Sequence, residues 1–173
     1  MTMHQSMGDS PGVESRWVLN PATTTIVFRT KAMWILNVKG TAKALNGDGI
    51  VAPDGPVSGR LVIDATSIDT HDAKRDKHLR TGDFLETAKY PTITFVTTSG
   101  RVTGTGTFEL NGTLTVRDQT HPVTMSADVR RSGSTAVVST EIDIDRSMWG
   151  LTWAKMGAGL HNRVAIEAHF DEA

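Results

Sequence analysis

Cysteine is absent, and with it go disulfides, thiol nucleophiles and thiolate metal sites. Neither sign of charge dominates. Eighteen lysines and arginines face 19 aspartates and glutamates, a formal net charge of -1, so bulk charge recruits neither nucleic acid nor anionic lipid. No window approaches the ~20 apolar residues of a spanning helix, and stable membrane insertion is not expected. The opening segment, MTMHQSMGDSPGVESRW, has no basic start followed by an apolar run, so it does not read as a secretory signal and the expected location is cytoplasmic. Nucleophile elbows, phosphate loops and HExxH are missing too.

What is present is one domain's worth of alternating sequence. The 173 residues suffice for one core and are short for two. Residues 1 to about 15 are small, polar and broken by Gly and Pro, which predicts a disordered tail before a single domain over 16–173. In FELNGTLTVR, Phe108, Leu110, Leu114 and Val116 share one face, with Glu109, Asn111, Thr113 and Thr115 on the other. Val123, Met125, Ala127 and Val129 repeat the pattern after a turn predicted at RDQTHP, and the stretches 138–145 and 164–171 behave alike. TTTIVFRTKA, MWILNVKG, GRLVIDATSI and YPTITFVTT complete about eight strands, with NGDGIVAPDGP as a predicted loop. Strands this long in an open sheet would leave two bare edges, so an all-β, antiparallel, up-and-down barrel is expected, its interior either filled or holding one small ligand.

Period two fails once, at about residues 71–89. Residues 72–81 fit a short helix, with Asp76 four before Arg80, and Asp83 with Glu86 fits a capping box opening a second helix that carries Phe84 and Leu85. Tyr90-Pro91 ends the segment. A helical insertion covering one barrel end follows.

The string SIDTHDAKRDKHLRTGDFLETAKYPTITF resembles the hallmark of the YceI-like family, carried by Ser67, Ile68, Thr70, Arg75, Asp76, His78, Leu79, Asp83, Phe84, Tyr90, Pro91, Ile93 and Phe95. GTLTVRDQTHPV, IDIDRSMWGL and FRTKAMWILNVKG resemble further family segments in the same order, from about Trp17 to the C-terminus. Two positions depart from that pattern. Ala32 stands where many members carry histidine, and Asp118 stands at a turn glycine, so no role for that histidine carries over. The resemblance implies a lipocalin-like barrel that binds a polyisoprenoid, a polyprenyl chain or isoprenoid quinone, in an apolar tunnel; no cofactor, metal or catalysis is expected.

Strand phase nominates Phe28, Met33, Ile35, Phe95, Phe108, Leu110, Leu114, Met125, Ile142 and Phe170 as ligand-binding lining, with Phe84 and Trp149 near an end. Seven methionines and four tryptophans suit an adaptable lining or simply a filled core. Arg75, Asp76, His78, Leu79, Asp83, Tyr90 and Pro91 are expected to tie the insertion to strand ends. The alternative is an enzyme or metal-binding protein using the Asp76/His78 region. Asp76, His78 and His121 titrate and could serve as acid-base groups, but two residues apart on one helix Asp76 and His78 diverge. His71 and His78 share a helix face ~10 Å apart, too far for one ion even with Asp72 between them. Trp34, Leu36 and Val38 fall on the face away from the lining, an apolar stripe that a homodimer would cover.

Overall fold

The structure, a computed structural model, describes residues 14–32, 36–52, 57–155 and 158–173. The alternating stretches become β1 (Ser15–Leu19), β2 (Thr25–Ala32), β3 (Leu36–Val51), β4 (Val57–Asp69), β5 (Thr92–Gly104), β6 (Thr107–Val116), β7 (Gln119–Ser132), β8 (Thr135–Asp145) and β9 (His161–Glu172). Antiparallel pairing runs β2-β9-β8-β7-β6-β5-β4-β3 and returns to β2, so the ladder closes on itself and no edge is left bare. β1 adds no stave. Trp17 of β1 pairs with Gly49 and Glu172, as Phe28 of β2 pairs with Gly40 and Val164, so the two strands are one stave interrupted by a turn. Thr24 staples that turn, donating to the Asn20 carbonyl at 2.8 Å and accepting from the His169 amide at 3.1 Å. The result is an eight-stave antiparallel barrel.

Inward-facing Leu19, Ile26, Ala44, Leu61, Ile63 and Ala168 form one buried cluster, and Leu114, Trp149 and Leu151 form another. Phe95 and Ile93 pack against both.

Several local expectations are corrected. NGDGIV is strand, not loop: β3 runs through it because a side chain at Gly47 would meet the Arg60 carbonyl oxygen at 2.8 Å, so glycine there lets β3 and β4 approach. The turn at RDQTHP shrinks to Arg117-Asp118, with Arg117 in the left-handed region at φ 58° and Pro122 already paired with Thr113. Strand structure begins at Ser15; the rest of the expected tail lies outside the described residues apart from exposed Glu14. Val38 is buried, so it cannot belong to an exposed stripe, while Trp34 lies outside the described residues.

The insertion contains one helix, α1 (Ala73–Leu79), whose N-cap Asp72 accepts from the Arg75 amide at 3.0 Å. The predicted second helix does not form. Residues 81–89 are turns, Glu86 sits at φ 46°, and its carboxylate accepts from Arg117 at 2.8 Å instead of capping. Arg117 also donates to the carbonyls of Gly82 and Phe84, which fastens the insertion to the β6–β7 turn.

Across the same barrel end runs the β8–β9 connection, starting with a 3-10 turn at Arg146–Trp149. Buried Arg146 donates to the carbonyls of Leu151 (2.6 Å), Gly159 (2.9 Å) and Ala158 (3.4 Å), and its guanidinium lies 5.2 Å over the Phe84 ring. Burial lowers its pKa below the ordinary arginine value, though Asp145 beside it pulls the other way. His78, Phe84 and Trp153 stack edge to face with centroids 4.5 to 5.2 Å apart, joining insertion to connection.

Three carboxyls, exposed Asp72 and Asp143 and half-buried Asp145, hold this architecture, each below the ordinary value of 3.8. Asp72 is lowered first by the Arg75 amide, Asp143 by the hydrogen bond from Arg163, and Asp145 by the Ser147 hydroxyl and amide. Because the folded values are depressed, their contribution is complete above the unfolded value and is lost as pH falls through the folded ones. The melting temperature should therefore drop below about pH 4, and drop less steeply in the Asp72→Asn/Asp143→Asn/Asp145→Asn triple variant. Superimposable acid profiles for the two proteins would refute the assignment.

Candidate functional site

Opposite the insertion, the barrel is hollow. A cavity of about 430 Å³ opens between the start of β1 and the tips of the β3–β4, β5–β6 and β7–β8 hairpins. Strand ends place its mouth. Val51 and Val57 flank the β3–β4 tip, Val102 and Gly106 the β5–β6 tip, and Arg131 and Ala136 the β7–β8 tip. Its wall is apolar, formed by Trp17, Phe108, Leu110, Met125, Ala127, Val138, Ala168 and Phe170, and its inner end by Leu61, Phe95, Thr140 and Ile166.

Polar groups gather mainly at the rim. Arg131 stands 5.0 Å over the Trp17 ring, donates to the Gly133 carbonyl at 3.1 Å and pairs with Glu172 at 3.2 Å. More than half of its side chain is exposed, so the ion pair contributes below about 1 kcal/mol and the guanidinium is orientated rather than locked. Asp48 and Arg60, directly paired in register on β3 and β4, share the outer face of the barrel with exposed Val18 and Val96, so their charges do not reach the cavity.

Of the residues nominated from strand phase, Phe95, Phe108, Leu110, Met125 and Phe170 line this cavity. Leu114, Ile142 and Phe28 do not: they share the inward phase but lie farther toward the insertion end, Phe28 lying over Gly40 and Leu114 in the second cluster. Phe84 and Trp149 are buried in the end cap, away from the cavity. Met33 and Ile35 lie outside the described residues. Trp17, Leu61, Val138 and Arg131 were not nominated. Strand phase could have supplied Leu61 and Val138, whereas an arginine that lays its stem along the wall looks like any surface charge in sequence.

The motif residues of the insertion are occupied with each other. Asp76, buried, accepts from the Thr70 amide (2.9 Å) and hydroxyl (2.5 Å), while Arg75 donates to the same hydroxyl and to the Thr70 carbonyl, both at 2.8 Å. His78 Nε2 pairs with Asp83 at 2.8 Å, and the Leu79 carbonyl accepts from the Leu85 amide at 3.0 Å. The Pro91 carbonyl accepts from the Ala65 amide, and Tyr90 lies under Lys89 and Arg117. His121 meets the Trp149 ring at 5.3 Å, its Nε2 buried without a hydrogen-bond partner among the described residues. Asp76, His78 and His121 thus serve three different neighbourhoods. Among the described residues, no three His, Asp or Glu side chains converge as a metal site.

A profile of the YceI-like domain matches residues 17–171, nearly the whole barrel. The chain belongs to the YceI-like family. Protein YceI of Escherichia coli O157:H7 is 38% identical over 108 residues, covering 61% of this chain and 56% of that protein. A UPF0312 protein of Vibrio cholerae serotype O1 strain M66-2 is 32% identical over 114 residues, 65% of this chain and 60% of that one. The matches thus span a little over half the length of these curated relatives. Solved YceI-like folds superpose more completely. BcnA of Burkholderia cenocepacia aligns with a TM-score of 0.78 at 18% identity, over 87% of this chain and 98% of that one. A domain from Saccharophagus degradans, described as polyisoprenoid binding, gives 0.71 at 15%, over 91% and 98%. The lipocalin-like barrel is therefore the family fold, and among the described residues no helix is long and apolar enough to cross a membrane.

Proposed function

We propose that this YceI-like barrel is a binding protein that carries a long amphiphilic isoprenoid lipid, a polyprenyl chain or isoprenoid quinone, with its hydrocarbon in the cavity and its polar end at the Arg131 rim. The observation that carries this is the one-ended apolar hollow itself. A barrel that needed only a core would fill this space, since interiors normally pack to a density of about 0.74 with few voids larger than a water molecule. Hydrocarbon moving from water into the hollow gains ~0.8 kcal/mol per methylene before ordering costs, enough to drive uptake without specific polar contacts. The rim then selects the polar end: Arg131 donates hydrogen bonds to oxygens of a hydroxyl, quinone or phosphate. The description of the Saccharophagus degradans domain as polyisoprenoid binding supports the ligand class.

Native mass spectrometry of freshly purified protein, followed by incubation with a polyprenyl alcohol, tests the reading. The expected result is a bound lipid mass or its uptake at one per chain. Neither co-purified lipid nor uptake would overturn it.

A further inference from the structure

We propose that the outer wall formed by β1, β3, β4 and β5 is an interface between two copies of this chain, related by a two-fold axis parallel to the strands, so that both mouths open to the same side. The wall carries a row of four residues in direct register, Val18, Asp48, Arg60 and Val96. Their chain neighbours Trp17, Gly49, Leu61 and Phe95 line the cavity, so the four side chains of the row point outward. Val18 is 51% exposed and Val96 37%, and Leu45, at the bulge between Ala44 and Asn46, is 45% exposed beside them. Ile50 shares the outward phase of Asp48 and extends the apolar strip along β3.

The charge pattern says what covers this face. Asp48 and Arg60 stand directly opposite each other on neighbouring strands, yet among the described residues neither makes an ion pair. Across the wall the row runs apolar, acidic, basic, apolar. An axis along the strands, between β3 and β4, reverses that order in the facing copy. Asp48 then meets Arg60 of the second copy and Val18 meets its Val96, each contact occurring twice, and the four charges alternate in a ring. The other two-fold, running across the strands, would set Asp48 on Asp48 and Arg60 on Arg60, which like-charge repulsion disfavours. The axis that charge selects leaves the strand direction common to both copies, and the mouths with it. This contact lies on the outside of the wall and stands whether or not the barrel carries a lipid.

Sedimentation velocity of the full chain, between about 1 and 200 µM, tests the proposal. The expected result is a concentration-dependent particle of twice 18.7 kDa. Asp48→Arg and Arg60→Asp each place like charges across the contact and should each weaken association at least about tenfold. An equimolar mixture of the two variants should restore it as a heterodimer, because every reversed charge then faces its opposite. Unchanged melting temperatures would show that both variants keep the fold. The chain has no cysteine, so the axis can be tested directly: Val18→Cys mixed with Val96→Cys should crosslink through a short bismaleimide, and neither variant should do so alone. A particle of 18.7 kDa at every concentration overturns the proposal. A dimer indifferent to both charge reversals has its interface elsewhere and overturns it too, and crosslinking of Val18→Cys by itself overturns the axis.

Discussion

Trp149→Ala lowers the free energy of unfolding by about 4 kcal/mol and leaves lipid uptake unchanged. The residue is 4% exposed and forms a buried cluster with Leu114 and Leu151, against which the partly buried Leu85, Val116, Val123 and Ile144 pack. Truncation removes that packing and leaves a void between the 3-10 turn and the barrel bore. It also removes the indole donor of the 2.9 Å bond to the Leu114 carbonyl, leaving a buried acceptor without its partner. Trp149→Phe separates the two effects, since it keeps most of the ring volume and loses the bond, with an expected cost of about 1 to 2 kcal/mol. Denaturant melts of the three proteins, paired with uptake measurements, decide the matter. A loss below about 1.5 kcal/mol for the alanine variant would mean that the void is not formed. Impaired uptake at full stability would mean that Trp149 belongs to the ligand site after all.

That placement of Trp149 illustrates what the sequence could and could not convey. Alternation reports which face of a strand a residue occupies, so the inward sets Phe108-Leu110-Leu114 and Met125-Ala127 were legible, and with them the barrel. Height along the bore is not periodic. Leu110 and Leu114 share a face, yet one lines the cavity and the other packs beneath Trp149, a difference fixed by register with β5 and β7. Nor does composition show which end is closed. The insertion was legible as a break in alternation, and Asp72 as a cap; Glu86, three after Asp83, read as a capping partner because Arg117, 31 residues away, is invisible to local pattern. The Thr70-Asp76-Arg75 contacts put the motif at the insertion's root, where it shapes the closed end.

Gly112→Ala should be the most damaging single-methyl change in the barrel, costing about 3 kcal/mol. A Cβ built there lies 2.2 Å from the Val96 carbonyl oxygen and 2.8 and 2.9 Å from two ring carbons of Phe95. The carbonyl belongs to the adjacent strand of a closed ladder and cannot swing aside without opening hydrogen bonds, whereas the ring can turn only into the cavity. The two contacts are separable by a double-mutant cycle. In a Phe95→Ala background the ring contact is gone and the carbonyl contact remains, so the cost of Gly112→Ala should fall by about 1 kcal/mol without vanishing. The same displacement of the ring takes up part of the hollow, so uptake of a polyprenyl alcohol by the single variant should fall. A change in stability within about 0.5 kcal/mol of the wild type would show that β5 and β6 separate more easily than a closed barrel permits.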